Sequence, residues 1–301
     1  MIRILGTLFA GLAGLALGSF LNVCATRWPE DEKITKPRSH CRSCGRTLSW
    51  WENVPLVSWM ALRGRCRTCH EWIGWRYPIA ELSVGVLWAY SAWMIFSAAP
   101  GLDAGVFSAD AALPLVDGIA RMIFLWLLVA LAVLDSENLW LPDRLTLPGI
   151  GLGLLLAIAR GTITAETSLG GGFSTWVHTV PGVVVLFWFM GAVIGGGMLL
   201  IIRWIYEMVR GMEGIGLGDV KLMAMLGGWV GIKGALLSFA VALLAGLVLA
   251  LAWRGRPPKG DKAGPWQLQK LPFGTFLCLG GIIAGLWGEA IIRAYMRLSG
   301  L

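Results

Sequence analysis

Met122-Ile123-Phe124-Leu125-Trp126-Leu127-Leu128-Val129-Ala130-Leu131-Ala132-Val133-Leu134-Asp135 is an unbroken apolar run that ends in an acid. As an α-helix these residues rise about 20 Å, most of a hydrocarbon core of about 30 Å. A run this apolar belongs in a membrane. A carboxylate joined to it is costly in lipid, about 2.5–3.5 kcal/mol at a helix centre, so Asp135 is a functional candidate from the outset.

The rest of the chain fits that reading. Of its 301 residues 56% are apolar and 14% charged, against roughly 25% charged in a soluble domain. Mean hydropathy is +0.70, with 17 Trp and 41 Gly, residues suited to membrane interfaces and helix contacts. Apolar stretches at 4–26, 78–99, 118–135, 145–160, 179–202, 219–231, 233–253 and 271–292 predict an all-α polytopic protein of about eight transmembrane helices. Residues Ile4–Thr26 are too long for a signal-peptide core and lack an A-x-A site, so 1–26 is expected to be a retained first helix. Within it, Gly14 and Gly18 form a GxxxG pair suited to close packing.

The formal charge of +7 would raise the question of nucleic acid in a soluble protein. Here topology explains it, and no nucleic-acid partner is expected. Segment 27–77 carries ten Lys or Arg, loop 254–270 carries five, and 100–117 carries none. The positive-inside rule places 27–77 and 254–270 in the cytoplasm, at the inner face of a bacterial cytoplasmic membrane. Eight spans then put Asp135 and Asp219, 84 positions apart, at the same cytoplasmic edge.

Two CxxC turns lie in the basic insert, Cys41/Cys44 and Cys66/Cys69, with 21 residues between them. Each turn offers two thiolates, and together they fill a tetrahedral zinc site with no open position, which is a structural site. A disulfide pair is disfavoured in a reducing cytoplasm. His40 and His70 flank the cysteines but are surplus to the shell. Cys24 and Cys278 lie in spans and read as small apolar residues. His178 stands alone beside a span.

Asp219 closes Gly216-Leu217-Gly218-Asp219, and the apolar run Leu222–Val230 follows. The glycines allow close approach of a strand to the carboxylate. Two carboxylates held together share a proton, so one activates water while the other protonates a carbonyl, chemistry suited to peptide hydrolysis. Taken singly, each acid is better explained as a helix cap, Asp219 as the N-cap of the sixth span, and it is the pair on one face that favours catalysis. Asp143, in Leu141-Pro142-Asp143, competes with Asp135 for the first position, although Pro-Asp followed by Thr146 reads as a helix start. Lys221 either tunes a carboxylate or extends to the interface. A membrane-anchored zinc adaptor and an ion transporter are the alternatives from other functional classes.

Several longer stretches together resemble the type IV prepilin peptidases. They are Gly18-Ser19-Phe20-Leu21-Asn22-Val23, Pro37–Cys44, Glu52–Ser58, Arg63–Cys69, Arg76–Leu82, Leu134-Asp135 with Leu141-Pro142-Asp143, and Glu213–Leu222. The resemblance implies Asp135 and Asp219 as the catalytic pair, in preference to Asp143, with Gly216 and Gly218 in the catalytic-loop motif. It implies cleavage of prepilin and pseudopilin leaders after glycine on the cytoplasmic side, in type IV pilus or type II secretion systems. It also implies methylation of the new N-terminus with S-adenosylmethionine. The expected organisation is a first helix (1–26), a cytoplasmic zinc subdomain tied to methyl transfer (27–77) and a transmembrane aspartyl peptidase core (78–301). Glu52, Asn53 and Glu81 are polar residues of the methyl-transfer region, equally explained by local hydrogen bonds. No methyl-donor site is assigned, there being no Rossmann-type glycine fingerprint, and no oligomeric state is implied.

Overall fold

Helices of spanning length need every backbone polar group paired internally, and this chain satisfies that demand with helix almost throughout. The computed structural model describes residues 1–36, 38–105, 111–167, 181–212, 214–253 and 272–300. His178 and the basic loop 254–270 lie outside them. The chain divides into two compact units, Met1–Val133 and Leu134–Leu301.

In the first unit, α1 (Ile2–Arg27) leads through a 3-10 turn (Trp28–Glu30) into the cysteine-bearing insert. The insert holds a second 3-10 turn (Trp50–Asn53) and the short α2 (Val57–Ala61). The chain returns in α3 (Arg76–Ala98), and α4 (Ala112–Asn138) follows. Helix α1 packs on α3 through the predicted glycine pair. A Cβ at Gly14 would lie 2.8 Å from the Val84 carbonyl, and one at Gly18 would lie 2.6 Å from Glu81 Cα. The Trp88 indole N–H donates to the Met122 carbonyl of α4 at 2.9 Å.

The second unit takes the last turn of α4, then α5 (Asp143–Thr167), α6 (Pro181–Arg210), α7 (Leu217–Trp253) and α8 (Phe273–Leu298). Glycines again set the contacts. Gly191 meets Gly227 backbone to backbone, and a Cβ at Gly195 would lie 2.8 Å from the Met223 carbonyl, so α6 lies antiparallel on the first half of α7.

Among the described residues seven helices are long and apolar enough to cross a membrane, one fewer than the eight expected stretches. The difference lies in α7. Gly231, with φ 70° and ψ 178°, is non-helical inside it. A straight helix would carry Phe239 about 31 Å beyond Gly218. Yet Phe239 packs edge-to-face on Phe273 with centroids 6.3 Å apart. Leu141 in turn sits against both Gly218 and Gly274, with a built Cβ on either glycine falling 2.9 Å from its side chain. Helix α7 therefore folds back at Gly231 into two apolar segments, matching the separate stretches 219–231 and 233–253. A φ of 70° is open to glycine and strained for most other residues.

Enlarging Gly18 to Val drives methyls into the α3 backbone, which cannot yield as a flexible side chain would. Gly18→Val is expected to lose about 1–3 kcal/mol of stability, read as a lower thermal midpoint in detergent. An unchanged midpoint would contradict this packing.

Candidate active site

Asp135 lies in the last turn of α4, which runs three residues further than the predicted span end at 135. The helix stops where Leu139 takes a positive φ of 49°, its N–H bonding back to the Asp135 carbonyl. The Asp135 side chain is buried, 5% exposed. Its Oδ2 accepts two hydrogen bonds from one residue of α8: the Thr275 N–H at 2.6 Å and the Thr275 hydroxyl at 2.9 Å. Gly274 makes room for this, since a Cβ there would lie 3.0 Å from Asp135 Oδ2.

The N-cap alternative for Asp219 does not hold. Helix α7 begins at Leu217, two residues before the expected start, which places Asp219 in its first turn. Its Oδ2 accepts the Gly216 N–H at 3.2 Å, one half of a capping box. The helix N-terminus favours a negative charge there. The motif glycines act locally. A Cβ on Gly216 would crowd Asp219 Oδ2 at 3.3 Å, and one on Gly218 would strike Leu141.

The two carboxylates are close enough to act on each other electrostatically. The buried thiol of Cys278, one turn after Thr275, feels both. Asp143 is placed elsewhere: its Oδ1 pairs with Lys221 Nζ at 2.6 Å, on the exposed side. That ion pair ties the start of α5 to the first turn of α7, and it engages Lys221 with Asp143. Thr275 and Gly274 were not found from sequence. Their only sequence signal is the break Pro272-Phe273-Gly274-Thr275 ahead of the last apolar stretch.

In the first unit, the four cysteine sulfurs lie within 4.8 Å of one another, with Cys41 Sγ 3.7 Å from Cys69 Sγ. Tetrahedral zinc–sulfur bonds of about 2.3 Å require sulfur separations near 3.8 Å, so this donor set fits a metal such as zinc. The two knuckles share one design. The N–H of Cys41 bonds the Arg46 carbonyl, and that of Cys66 bonds the Glu71 carbonyl. Each turn closes on a residue of positive φ, Gly45 at 70° and His70 at 56°. His70 is thus a turn residue, while His40 Nδ1 contacts the Arg38 carbonyl at 3.1 Å. The N–H groups of Cys69 and Thr68 lower the Cys66 thiol to about 6. The Glu71 N–H favours the Cys69 thiolate, but desolvation and the neighbouring thiols push that group up to about 12. A bound cation removes this conflict, because every ligand is then deprotonated.

Arg46 braces the same insert, its guanidinium meeting the buried Glu52 carboxylate at 2.5 and 3.2 Å. Glu52 also accepts the Ser49 N–H at 2.7 Å.

Seven spanning helices among the described residues, with a separate four-cysteine cluster, define a polytopic membrane protein. Residues 12–95 match the family model described as Bacterial Peptidase A24 N-terminal domain, and 122–251 match the Type IV leader peptidase family. The chain is 31% identical to a prepilin leader peptidase/N-methyltransferase of Stutzerimonas stutzeri over 98% of this chain and 95% of that protein. It is 32% identical to one from Pseudomonas aeruginosa, covering 96% and 93%. A Burkholderia pseudomallei relative of the same name is 34% identical, covering 97% and 88%. No solved structure matches the chain. The chain belongs to the type IV leader peptidase family.

Two outcomes follow for the insert. Arg46 holds Glu52 below the usual carboxylate range. Its folded value being depressed, the pair's stabilisation is complete above the unfolded value of about 4.3 and is lost as pH falls through the lower native value. Glu52→Gln is therefore expected to melt below wild type at pH 7, with the gap closing under acid. A gap independent of pH would contradict the ion pair. Metal analysis should find about one zinc per chain, and a Cys41→Ser/Cys66→Ser double variant should lose it. Retained zinc in that variant would refute the cluster.

Proposed function

We propose that this chain is a membrane aspartyl endopeptidase that removes the leader of type IV prepilins and pseudopilins after a glycine. On this reading it also methylates the new N-terminal amine with S-adenosylmethionine. Asp135 and Asp219 are the catalytic pair. The supporting observation is their meeting within one unit: Asp135 is fixed by Thr275 and Asp219 is seated in the first turn of α7.

The chemistry needs one ionised and one protonated carboxyl group. The ionised group takes a proton from water as the water oxygen bonds to the peptide carbon. The protonated group gives its proton to the carbonyl oxygen, forming a tetrahedral diol. Breakdown returns a proton to the leaving amine and restores the shared-proton pair. Thr275 orients Asp135, while the first turn of α7 and the Gly216 N–H hold Asp219. Gly216 leaves the Asp219 carboxylate uncrowded, and Gly218 lets Leu141 seat against the first turn of α7.

The insert supports a structural role for zinc, held by Cys41, Cys44, Cys66 and Cys69. With four protein ligands the site keeps no position for substrate. The ten basic residues of 27–77 support a cytoplasmic placement for the insert. By the predicted order of spans, the ends carrying Asp135 and Asp219 then face the cytoplasm of a bacterial inner membrane.

Detergent-solubilised protein incubated with a prepilin bearing a Gly-Phe junction tests the reading. Asp135→Asn and Asp219→Asn are each expected to lower cleavage by about 10²-fold or more. Thr275→Val, which removes the hydroxyl donor but keeps the N–H, should lower it by about tenfold. Wild-type rates in either aspartate variant would refute the pair.

A further inference from the structure

The first unit encloses a cavity of about 380 Å³, bounded by the adjoining ends of α1 and α3 and by the cysteine-bearing insert. That size is within the range of small-molecule sites, about 300–1,000 Å³. Its wall includes Ser19 and Asn22 of α1, Glu81 of α3, and Asn53, Trp59 and Trp72 of the insert.

One of these groups is a buried acceptor with no donor, and another is a buried carboxylate with no cation. Asn22 is 3% exposed. Its amide nitrogen donates to the Tyr77 carbonyl at 3.1 Å, but its Oδ1 has no partner. A buried amide oxygen without a donor is uncommon and costly. Glu81 is 7% exposed, and it takes side-chain hydrogen bonds from Ser19 and Asn22. Its carboxylate accepts the Leu56 N–H at 2.8 Å, and no cation pairs with it among the described residues. Glu52, buried on the same cavity wall, shows the contrast, since Arg46 neutralises it. A buried carboxylate without a cation is a poor stability element and calls for a positive ligand.

Glu81 also steadies an unusual turn. The Val57 N–H reaches the Pro55 carbonyl across Leu56, whose φ is 57° and ψ −46°, a three-residue turn that is rare and strained. Strain of this kind persists where surrounding contacts enforce it, and it gathers at ligand sites. The turn lies between Asn53 and Ser58, both on the cavity wall.

We propose that this cavity is the binding site for S-adenosylmethionine, with the Glu81 carboxylate and Asn22 Oδ1 receiving its positively charged portion and Trp59 and Trp72 offering aromatic surface to its adenine. The proposal rests on the methyltransferase half of the function above and gives that half its site. The cofactor brings a methyl group on a sulfonium, so that the substrate amine's lone pair forms the N–C bond as the C–S bond breaks towards sulfur, and the amine's proton passes to solvent. The chain's own contribution is binding. Glu81 and Asn22 supply acceptors to a ligand rich in donors and positive charge, and the indoles favour a planar base.

Ultraviolet cross-linking of methyl-tritiated S-adenosylmethionine to the full-length detergent-solubilised protein tests this without mutation. The label is expected in peptides between residues 19 and 81, and unlabelled sinefungin should displace it. Label confined to residues 134–301 would overturn the site. Equilibrium binding gives the second test. Glu81→Gln keeps an oxygen for the Leu56 N–H while removing the charge, and Asn22→Leu removes the orphan acceptor. Each, with an unchanged thermal midpoint, should weaken binding at least tenfold. Wild-type affinity in both, from protein that methylates, would overturn the site and leave the methyltransferase reading standing. A wild-type protein that cleaves prepilin but neither binds nor transfers the methyl group would overturn that reading itself, and this site with it.

Discussion

Leu141 occupies a junction that only glycines could form. It is wedged against Gly218 in the first turn of α7 and against Gly274 in the first turn of α8. A side chain at either position would push the helices apart. Those two turns carry Asp219 and the Thr275 that grips Asp135. Closeness of the carboxylates thus depends on a backbone approach, fixed by where side chains are absent. The fold-back of α7 at Gly231 is the second requirement. Without it, the start of α8 would lie a membrane's thickness away from the start of α7.

The first unit meets a different constraint. The insert between α1 and α3 is too short and too rich in turns to bury a core of its own. Its order comes from four converging thiols, a buried Arg46–Glu52 pair and a cluster of Trp59, Trp72 and Trp75, with centroids 4.5 to 6.0 Å apart. Polar anchoring of this kind leaves space beside the helix ends, and the cavity with its unpaired Asn22 oxygen occupies that space. Chemistry in the two units is thereby assigned to different means. The aspartates sit on long helices held by glycine contacts, and the cavity is walled in part by loops that the four cysteines draw together.

Much of this was legible in the sequence because it is periodic or local. The apolar runs marked where helices lie, since lipid demands length and apolarity, but α4 begins six residues earlier than its run and α5 and α6 extend seven and eight residues beyond theirs. CxxC spacing marked the knuckles, because two thiols on one turn are a local property. The Gly14/Gly18 pair pointed to close packing, which α3 supplies. What escaped is non-local. Thr275 is one threonine among many until the fold brings it to a residue 140 positions earlier. The engagement of Lys221 by Asp143 likewise needs two helix starts to meet across 78 positions. The start of α7 was misplaced by two residues because Gly216 and Leu217 carry no strong cap signal, so Asp219 read as a cap when it sits inside the first turn. The reversal within α7 was anticipated only as a gap between two apolar runs, and Gly231 gives it a cause.

Proximity of residues 135 and 219 is the claim on which the account turns, and a distance measured in the membrane tests it without reference to activity. With Cys24 and Cys278 replaced by alanine, cysteines placed at 135 and 219 should be joined by a short bifunctional maleimide. The joined product should appear as an intramolecular link between peptides of α4 and α7. A control pair at 135 and 231, the latter at the far end of the first α7 segment from Asp219, should stay unlinked. Efficient linking of the control pair, with none between 135 and 219, would contradict the fold and the paired-aspartate mechanism together.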